Sequence, residues 1–378
     1  MGGAAIDRGP PVAVETGQTF RTASQQTGMP DTITTPDIAI DRSGIVAFLR
    51  RALAEAEAMP RARLHGRQAR PSGLPLELWF DSAAQADLYA PRLAECAPVP
   101  GAAATRLYVL DSMGQLPGWA DEAFDAPAFH ALLRDAGLRA AYPHQPQIWQ
   151  VLDLGTGIGL HLARSTDDLP LWHAGSPLRQ HLHWLLQAQG KRIAHAATLG
   201  EAGRGILLFG SGGAGKSGTT LAGVAAGLQS VGDDYVALGG MQRAVATPLF
   251  RIFKQDRRGL SRVAGLHEKT ADMPENWMRK VEFDPDAFFP GCFAEEMEIR
   301  AIVLPRIARA ETSRFVAIPG GEAMRALIPT NLMQFPGEAD DGMAYYANLL
   351  RRLPAYRLEL SADAVECGAA LRAFIAGL

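Results

Sequence analysis

A glycine-rich run of eight residues has the composition needed to wrap a backbone around a phosphate group. The run is Gly-Ser-Gly-Gly-Ala-Gly-Lys-Ser and fits the pattern GxxxxGK[ST]. Glycines let backbone N–H groups curl around an anion without Cβ clashes. The lysine can reach the β- and γ-phosphates of a nucleotide and act in catalysis, and the final serine can offer its hydroxyl to Mg²⁺. We therefore predict a site for ATP and Mg²⁺ formed by Gly210, Ser211, Gly212, Gly213, Ala214, Gly215, Lys216, Ser217 and Gly218.

The residues on either side of this loop supply the setting that it needs. The apolar run 205–209 ahead of it is typical of a buried strand, and 218–227 behind it can start a helix. A strand–turn–helix arrangement points the loop N–H groups and the positive end of the helix dipole at phosphate. These flanks disfavour the alternative, a glycine-rich turn that matches the pattern by chance.

Two adjacent carboxylates, Asp233 and Asp234, follow the loop in the sequence. We predict that they lie at the end of the strand that comes after the helix. In phosphoryl transfer one carboxylate can hold Mg²⁺ while another accepts the proton of an attacking hydroxyl. Gly-Asp-Asp is also good turn chemistry, so a solvated turn stays open as the alternative.

Three elements in order make the chain resemble the HPr kinase/phosphorylase-like P-loop kinases. Their spacing is similar to that of the family, and the run 302–306 also looks like one of its later core strands. The three elements are His195, the loop 210–217, and Gly232-Asp233-Asp234-Tyr235.

The resemblance implies a role for each of these side chains. It implies that Asp233 acts as the base on a serine hydroxyl and that Asp234, with Ser217, supports the metal. It also implies that His195 is a catalytic residue near the transferred phosphate, where an imidazole can stabilise charge or orient the Asp233 carboxylate. A histidine ahead of a strand can instead be a packed or surface residue, and that alternative stays open.

The chain departs from the bacterial HPr kinases in several places. Gly218 stands where they carry an acidic residue, and their later glycine-rich signature is not recognisable. The overall layout is similar to the kinases found beside lasso-peptide biosynthesis genes. That similarity implies an acceptor serine near the C-terminus of a precursor peptide. Because HPr-kinase relatives are often oligomers, the resemblance also implies a homo-oligomer.

Composition and charge exclude other classes of protein. The 378 residues carry a net charge of −3, without the basic domain that a nucleic-acid-binding protein shows. The three cysteines are far apart in sequence, which fits a reducing compartment rather than a disulfide framework. No apolar run is long enough to span a membrane, and the N-terminus lacks the layout of a signal peptide. We expect a cytoplasmic protein with no nucleic-acid or membrane partner.

The apolar pattern predicts an α/β fold with two domains. Residues 1–42 show no apolar periodicity and are predicted to be disordered or flexible. A small N-terminal α/β domain, 43–176, is predicted to recognise the substrate. Residues 177–378 are predicted to form an HPr-kinase-like P-loop nucleotide-binding domain. Within it we expect the strand 299–304 to be ended by Pro305.

A second glycine-rich stretch, 151–159, is similar to the first motif of S-adenosylmethionine methyltransferases. That motif needs a helix directly after the glycines. The run 160–164 reaches a polar segment too soon for a helical crossover, which takes about a dozen residues. We therefore predict a hairpin with a glycine turn here, and the methyltransferase hypothesis is disfavoured.

A cation is expected to neutralise charge on the moving phosphoryl group, and the candidates are Arg251 and Lys254, with solvated surface as the alternative. The sequence thus predicts a serine kinase whose acceptor belongs to a peptide or small protein. Two other functions stay open. One is a nucleotide-dependent switch or regulatory ATPase without a phosphoryl acceptor, and the other is a kinase for a small molecule such as free serine.

Overall fold

Two mixed β-sheets form the framework of the computed structural model, which describes residues 44–111, 127–142, 148–163, 175–240, 242–276, 278–332, 334–335 and 339–378. All of these residues belong to one compact unit, 37–378. The segment 1–42, predicted to be disordered, lies outside the described residues. No helix within the described ranges has the length and apolar character needed to cross a bilayer.

The first sheet is mixed and has helices packed around it. Its strands are β1 (His65–Ala69), β2 (Leu76–Phe80), β3 (Thr105–Leu110), β4 (Leu138–Ala141), β5 (Ile148–Asp153) and β6 (Ile158–Ala163), and their order is β1-β2-β3-β6-β5-β4. Strands β2, β3 and β6 run parallel, and the other neighbours are antiparallel. The helices are α1 (Ile45–Glu57), α2 (Ala83–Tyr89) and α3 (Pro127–Asp135).

The second sheet carries the glycine-rich loop. Its strands are β7 (Arg192–Ala194), β8 (Ala197–Glu201), β9 (Arg204–Leu208), β10 (Val236–Gly239), β11 (Val245–Pro248), β14 (Met297–Ala310), β15 (Arg314–Ile318) and β16 (Ala355–Ser361). The order is β15-β16-β14-β11-β10-β7, and β9 pairs with both β14 and β8. Strands β12 (Phe253–Asp256) and β13 (Lys280–Phe283) form a separate two-stranded sheet. The α/β class predicted from the sequence is confirmed.

The remaining helices come, in sequence, before the glycine-rich loop, directly after it and in the later part of the chain. They are α4 (Arg179–Ala188), α5 (Lys216–Ala225), α6 (Arg257–Leu260), α7 (Leu266–Lys269), α8 (Gly320–Asn331), α9 (Ala339–Arg352) and α10 (Ala364–Ala376). Buried side chains from both sheets meet in one hydrophobic cluster, in which Leu78 of β2 is joined by Ile193 of β7 and Ala237 of β10. The domain boundaries 43–176 and 177–378 stay a prediction.

The hairpin predicted over the second glycine-rich stretch is confirmed. Strands β5 and β6 pair antiparallel, with Asp153 opposite Ile158. The Asp153 carboxylate accepts hydrogen bonds from the N–H groups of Gly155 and Thr156, and Gly157 has a φ of +66°. A strand, rather than a helix, follows the glycines directly. That geometry removes the basis of the methyltransferase hypothesis.

The prediction that Pro305 ends its strand is wrong, because β14 continues well beyond it beside β16. The Val303 carbonyl accepts a hydrogen bond from the N–H of Phe209, so the backbone groups of residue 303, and of residue 305 two positions on, face the β9 side. At position 305, β9 has already ended. The missing N–H of proline therefore removes no sheet hydrogen bond.

The three cysteines, Cys96, Cys292 and Cys367, are buried and free of disulfides. Burial is the main cause that raises the pKa of Cys292 to about 12 and that of Cys367 to about 11. Burial also raises the pKa of Cys96.

Helix α10 packs closely against α5, the helix that follows the loop. A Cβ atom on Gly368 would lie 2.7 Å from the backbone oxygen of Ala222. We expect Gly368→Ala to lower the free energy of unfolding by about 1–2 kcal/mol, since overpacking costs about 1–3 kcal/mol and alanine returns up to about 1 kcal/mol in helix propensity. Urea unfolding measures this. The control is Gly321→Ala in α8, where no atom lies within 4 Å of the Cβ position; equal losses in the two variants would contradict the close contact.

Candidate active site

The glycine-rich loop joins the end of β9 to the start of α5, as predicted. Gly213 and Gly215 have φ angles of +81° and +105°, in the left-handed region that residues with a Cβ atom rarely adopt. A Cβ atom on Gly215 would also lie 2.8 Å from Cδ1 of Leu360. The course of the loop therefore requires glycine at both positions, and α5 begins at the next residue, Lys216.

The Lys216 side chain is buried against the loop, with Nζ donating a hydrogen bond to the carbonyl oxygen of Gly210 at 2.6 Å. Burial lowers the pKa of Lys216, while Asp234 and Asp233 act in the opposite direction. The ammonium therefore lies within electrostatic reach of both aspartates. A bound phosphate would offer it a charged acceptor in place of the carbonyl, and charge-assisted hydrogen bonds are the stronger kind.

The acidic pair precedes a strand instead of ending one, which corrects the sequence prediction. Asp233 and Asp234 lie in a turn just before β10. The residues ahead of them are held by side chains as well as by backbone: Oγ1 of Thr198 accepts a hydrogen bond from the Val231 N–H at 2.8 Å. This side-chain acceptor adds to backbone bonds with β8, such as the one from the Thr198 N–H to the Gly232 carbonyl at 3.0 Å. No periodic pattern in the sequence reports a side-chain acceptor of this kind.

Asp234 is held by two partners. Nζ of Lys254 lies 2.9 Å from its Oδ2, and Nε2 of His195 lies 3.1 Å from its Oδ1. Burial opposes ionisation of Asp234, but Lys254 and His195 outweigh it and hold the pKa of that carboxyl well below its ordinary value. Asp234 therefore keeps its negative charge at neutral pH.

The pairing of His195 with Asp234 corrects the expectation that the imidazole orients Asp233. Strands β10 and β7 are antiparallel neighbours, with Val236 opposite Ala194. This register brings the residue after β7 next to the turn before β10. In this turn it is the Asp234 carboxylate, with Oδ1 3.1 Å from Nε2 of the ring, that faces the histidine.

Asp233 lies in a very different environment from its neighbour. Its side chain is buried, its Oδ2 accepts the backbone N–H of Lys254 at 3.2 Å, and its Oδ1 has no hydrogen-bond partner among the described residues. Burial first, and then the charge of Asp234, raise the pKa of Asp233. The hydrogen bond from the Lys254 N–H, the charge of Lys280 and a hydrogen bond from the Ser217 side chain partly offset this rise. Asp233 is therefore the carboxylate of the pair that is readier to take up a proton.

One cavity of about 540 Å³ brings these groups together, a volume typical of small-molecule sites. Gly210 and Ala214 belong to the loop but do not line the cavity. The predicted residues that do line it are His195, Ser211, Gly212, Gly213, Gly215, Lys216, Ser217, Gly218, Asp233 and Asp234. The histidine, the loop lysine, the loop serine and both aspartates are therefore in this cavity, and their roles stay predictions.

Of the two candidate cations, Lys254 lines the cavity and Arg251 does not. The guanidinium of Arg251 instead lies 3.4 Å from Asp284 and 3.5 Å from Asp286. Sequence reasoning missed other basic residues of the wall. Arg258 and Arg262 lie shortly after Lys254, whereas Arg179 and Lys280 come from other parts of the chain, and none of the four carries a local signal.

A chain of hydrogen bonds orients the His195 ring. Arg179 donates to the hydroxyl of Tyr235, which in turn lies 2.9 Å from Oε1 of Gln334. The Gln334 amide nitrogen lies 3.2 Å from Nδ1 of His195. A guanidinium only donates, so the Tyr235 proton goes to Gln334, and the Gln334 amide donates to Nδ1. In the neutral ring the imidazole proton is therefore on Nε2, where it faces Asp234.

The side chains present fit a magnesium-bound triphosphate. A serine hydroxyl and two carboxylates are oxygen donors, which Mg²⁺ prefers, and Mg²⁺ commonly takes one or two carboxylates together with substrate phosphates and water. In the described part of the chain, no group of three or more His, Cys, Asp or Glu side chains forms a metal cage. Ser217 and Asp234, with Asp233 beside them, would therefore hold the ion jointly with the phosphates, and the ion would neutralise phosphate charge.

The hydrogen-bond chain predicts the tautomer of His195. At a pH where the imidazole is neutral, we expect ¹⁵N chemical shifts to report a proton on Nε2. Tyr235→Phe frees the Gln334 amide to turn, so both tautomers should become populated. Tyr345→Phe is the control, because it removes a hydroxyl that donates to the Leu238 carbonyl instead. A mixture of tautomers in the unmodified protein would contradict the assignment.

The two aspartates should affect the stability of the ligand-free protein in opposite directions. Because the pKa of Asp233 is raised in the fold, its ionised form destabilises the fold above the ordinary carboxyl pKa. Asp233→Asn should therefore raise the unfolding temperature at neutral pH, and the gain should vanish below that pKa. Asp234→Asn leaves Lys254 without its carboxylate and should lower the unfolding temperature. Calorimetry would contradict this if both variants shifted in the same direction.

Comparisons with known proteins give little beyond these observations. No family model matches the sequence, and no curated protein matches it. Among solved structures, the chain is similar to the Hpr(Ser) kinase/phosphatase from Coxiella burnetii, with 12% sequence identity and a TM-score of 0.26. The match covers 49% of this chain and 95% of that one. A TM-score of that size supports no conclusion about function, so the function of this chain must be inferred from its own residues and their geometry.

Proposed function

We propose that this chain is an ATP- and Mg²⁺-dependent kinase that transfers the γ-phosphoryl group to a serine hydroxyl of a peptide or small protein. One observation carries the proposal. The loop lysine, the loop serine, both aspartates and the histidine line a single cavity. Phosphoryl transfer needs this combination: a cradle for the phosphates, oxygen ligands for Mg²⁺ and a carboxylate beside the reacting hydroxyl.

The loop and its lysine bind the triphosphate in this proposal. N–H groups of the loop surround the phosphates, Lys216 moves from the Gly210 carbonyl to a phosphate oxygen, and Ser217 contributes a ligand to Mg²⁺. Asp234, which remains ionised, supports the metal. Most of the rate enhancement then comes from positioning and electrostatic stabilisation.

Asp233 is the base. Its Oδ1 lacks a partner among the described residues and its pKa is raised, so it accepts a proton more readily than Asp234. The serine oxygen forms a bond to the γ-phosphorus as the bond to the β–γ bridging oxygen breaks. ADP leaves with that electron pair, and the hydroxyl proton passes to Asp233. Lys254 and the other cavity cations offset charge on the moving group.

We propose to test the C-terminal serine of a lasso-peptide precursor first as the acceptor. A cytoplasmic location and homo-oligomerisation are further parts of the proposal. The purified protein is incubated with Mg²⁺–ATP and peptides encoded beside its gene, with free serine in a parallel reaction. Mass spectrometry should find phosphoserine on a peptide. ADP release with no phosphorylated product would favour a regulatory ATPase, and phosphoserine from free serine would favour a small-molecule kinase.

Asp233→Asn should separate binding from chemistry. Loss of a general base lowers turnover by about 100- to 10,000-fold, whereas the loop and Lys216 still bind the nucleotide. Calorimetry with ATP should give a Kd close to that of the unmodified protein. Asp284→Asn is the control, because this aspartate lies outside the cavity beside Arg251. Normal transfer by Asp233→Asn would disprove the assigned role.

A further inference from the structure

A serine of the chain itself lies in the cavity. Ser176 precedes α4, is buried, and lines the same cavity as the loop and the aspartates. Its Oγ lies 3.3 Å from Nζ of Lys254, and the same Nζ lies 2.9 Å from Oδ2 of Asp234. A single ammonium therefore joins a serine hydroxyl to Asp234.

The turn that carries Ser176 is held tightly against Lys254. A Cβ atom on Gly175 would lie 2.8 Å from Nζ of Lys254 and 2.7 Å from Oε1 of Glu282, so glycine permits this approach without displacing either side chain. Leu178 is fully buried with a φ of +58°. That conformation is an outlier for a leucine and persists only where the surroundings enforce it. Such outliers cluster at functional sites.

The O–H proton of Ser176 is available to a base. A lysine ammonium only donates, so the serine oxygen is the acceptor in the contact with Lys254. Within the described ranges, that contact is the single hydrogen bond of the Ser176 side chain. Buried hydroxyls normally use their donor. Ser176 is only 8% exposed, and its donor is thus unused among the described residues, in the cavity that holds both carboxylates.

Lys254 also connects Ser176 to the proposed base. Its backbone N–H donates to Oδ2 of Asp233, while its side chain contacts both Asp234 and Ser176. The hydroxyl is therefore grouped with the side chains that an acceptor serine must meet in the proposed reaction. A serine that served only to hold Lys254 would account for the contact with Nζ but not for its unused proton.

We propose that Ser176 is a phosphoacceptor within its own chain, an inference that rests on the proposed kinase function. The Ser176 Oγ forms a bond to the γ-phosphorus of ATP as the bond from that phosphorus to the β–γ bridging oxygen breaks. The bridging electron pair leaves with ADP, and the hydroxyl proton passes to Asp233. The phosphoserine then faces Lys254, and an ammonium pairs well with phosphate.

The test uses the full chain, treated first with a phosphatase that is then removed, and incubated with Mg²⁺–ATP and no peptide. Peptide mapping by mass spectrometry should locate one phosphoryl group at Ser176, at a rate that does not depend on protein concentration. Ser176→Ala should lose this group, and Ser176→Thr should carry it on the threonine. Ser261→Ala is the matched control and should retain it, because that exposed serine lies outside the cavity and bonds to the Arg258 carbonyl.

Each outcome decides between the two proposals. Full phosphorylation of Ser176→Ala, or a phosphoryl group at another residue alone, overturns the assignment to Ser176. If the unmodified protein phosphorylates an added peptide while its own Ser176 stays unmodified, this inference fails and the kinase proposal stands. If ATP yields neither ADP nor a phosphorylated product, the kinase proposal itself fails. Mapping of the unmodified protein reads Ser176 directly, so the result does not depend on how the variants fold.

Discussion

Two carboxylates that are adjacent in sequence share one cavity, and their mutual repulsion is the constraint that the surrounding structure must satisfy. After burial, the charge of Asp234 is the next cause that raises the pKa of Asp233. The fold gives the two carboxylates different partners. Asp234 receives a lysine and a histidine, whereas Asp233 receives a backbone N–H and keeps an oxygen without a partner among the described residues.

The groups that compensate this charge come from parts of the chain far apart in sequence. His195 follows β7, Lys254 lies in β12, and Lys216 begins α5. The histidine is oriented in turn by Gln334 and, through Tyr235, by a residue of α4. A site assembled from several regular elements holds its side chains more rigidly than one carried on a single loop. The acidic pair itself lies in a turn, so its precision depends on these neighbours.

Local sequence patterns predicted those features of the fold and the site that depend on residues close together in the chain. The loop 210–217, the hairpin near Gly157 and the α/β class all follow from glycine placement and apolar periodicity, and the structure has them. The continuation of β14 past Pro305 could not be predicted in this way. Proline is tolerated there because β9, the neighbour on that side, ends earlier, and the end of β9 is not visible in the residues around Pro305.

Contacts between residues far apart in the sequence could not be predicted, for a similar reason. The partner of His195 is set by the register of β10 against β7, which no single segment encodes. Arg179, Lys280 and Ser176 share a cavity with the acidic pair only after the chain has folded, and none belongs to a recognisable motif. The sequence could name the groups that do chemistry, but not the groups that hold them in place.

The burial of all three thiols has a consequence for the reactivity of the folded chain. A thiol is nucleophilic only as its thiolate. With pKa values of about 12 and 11, Cys292 and Cys367 carry almost no thiolate at neutral pH, and Cys96 is shifted in the same direction. Alkylating reagents and mild oxidants should therefore leave these three thiols of the native protein unmodified. A cysteine introduced on its surface would be the one that accepts a spectroscopic label.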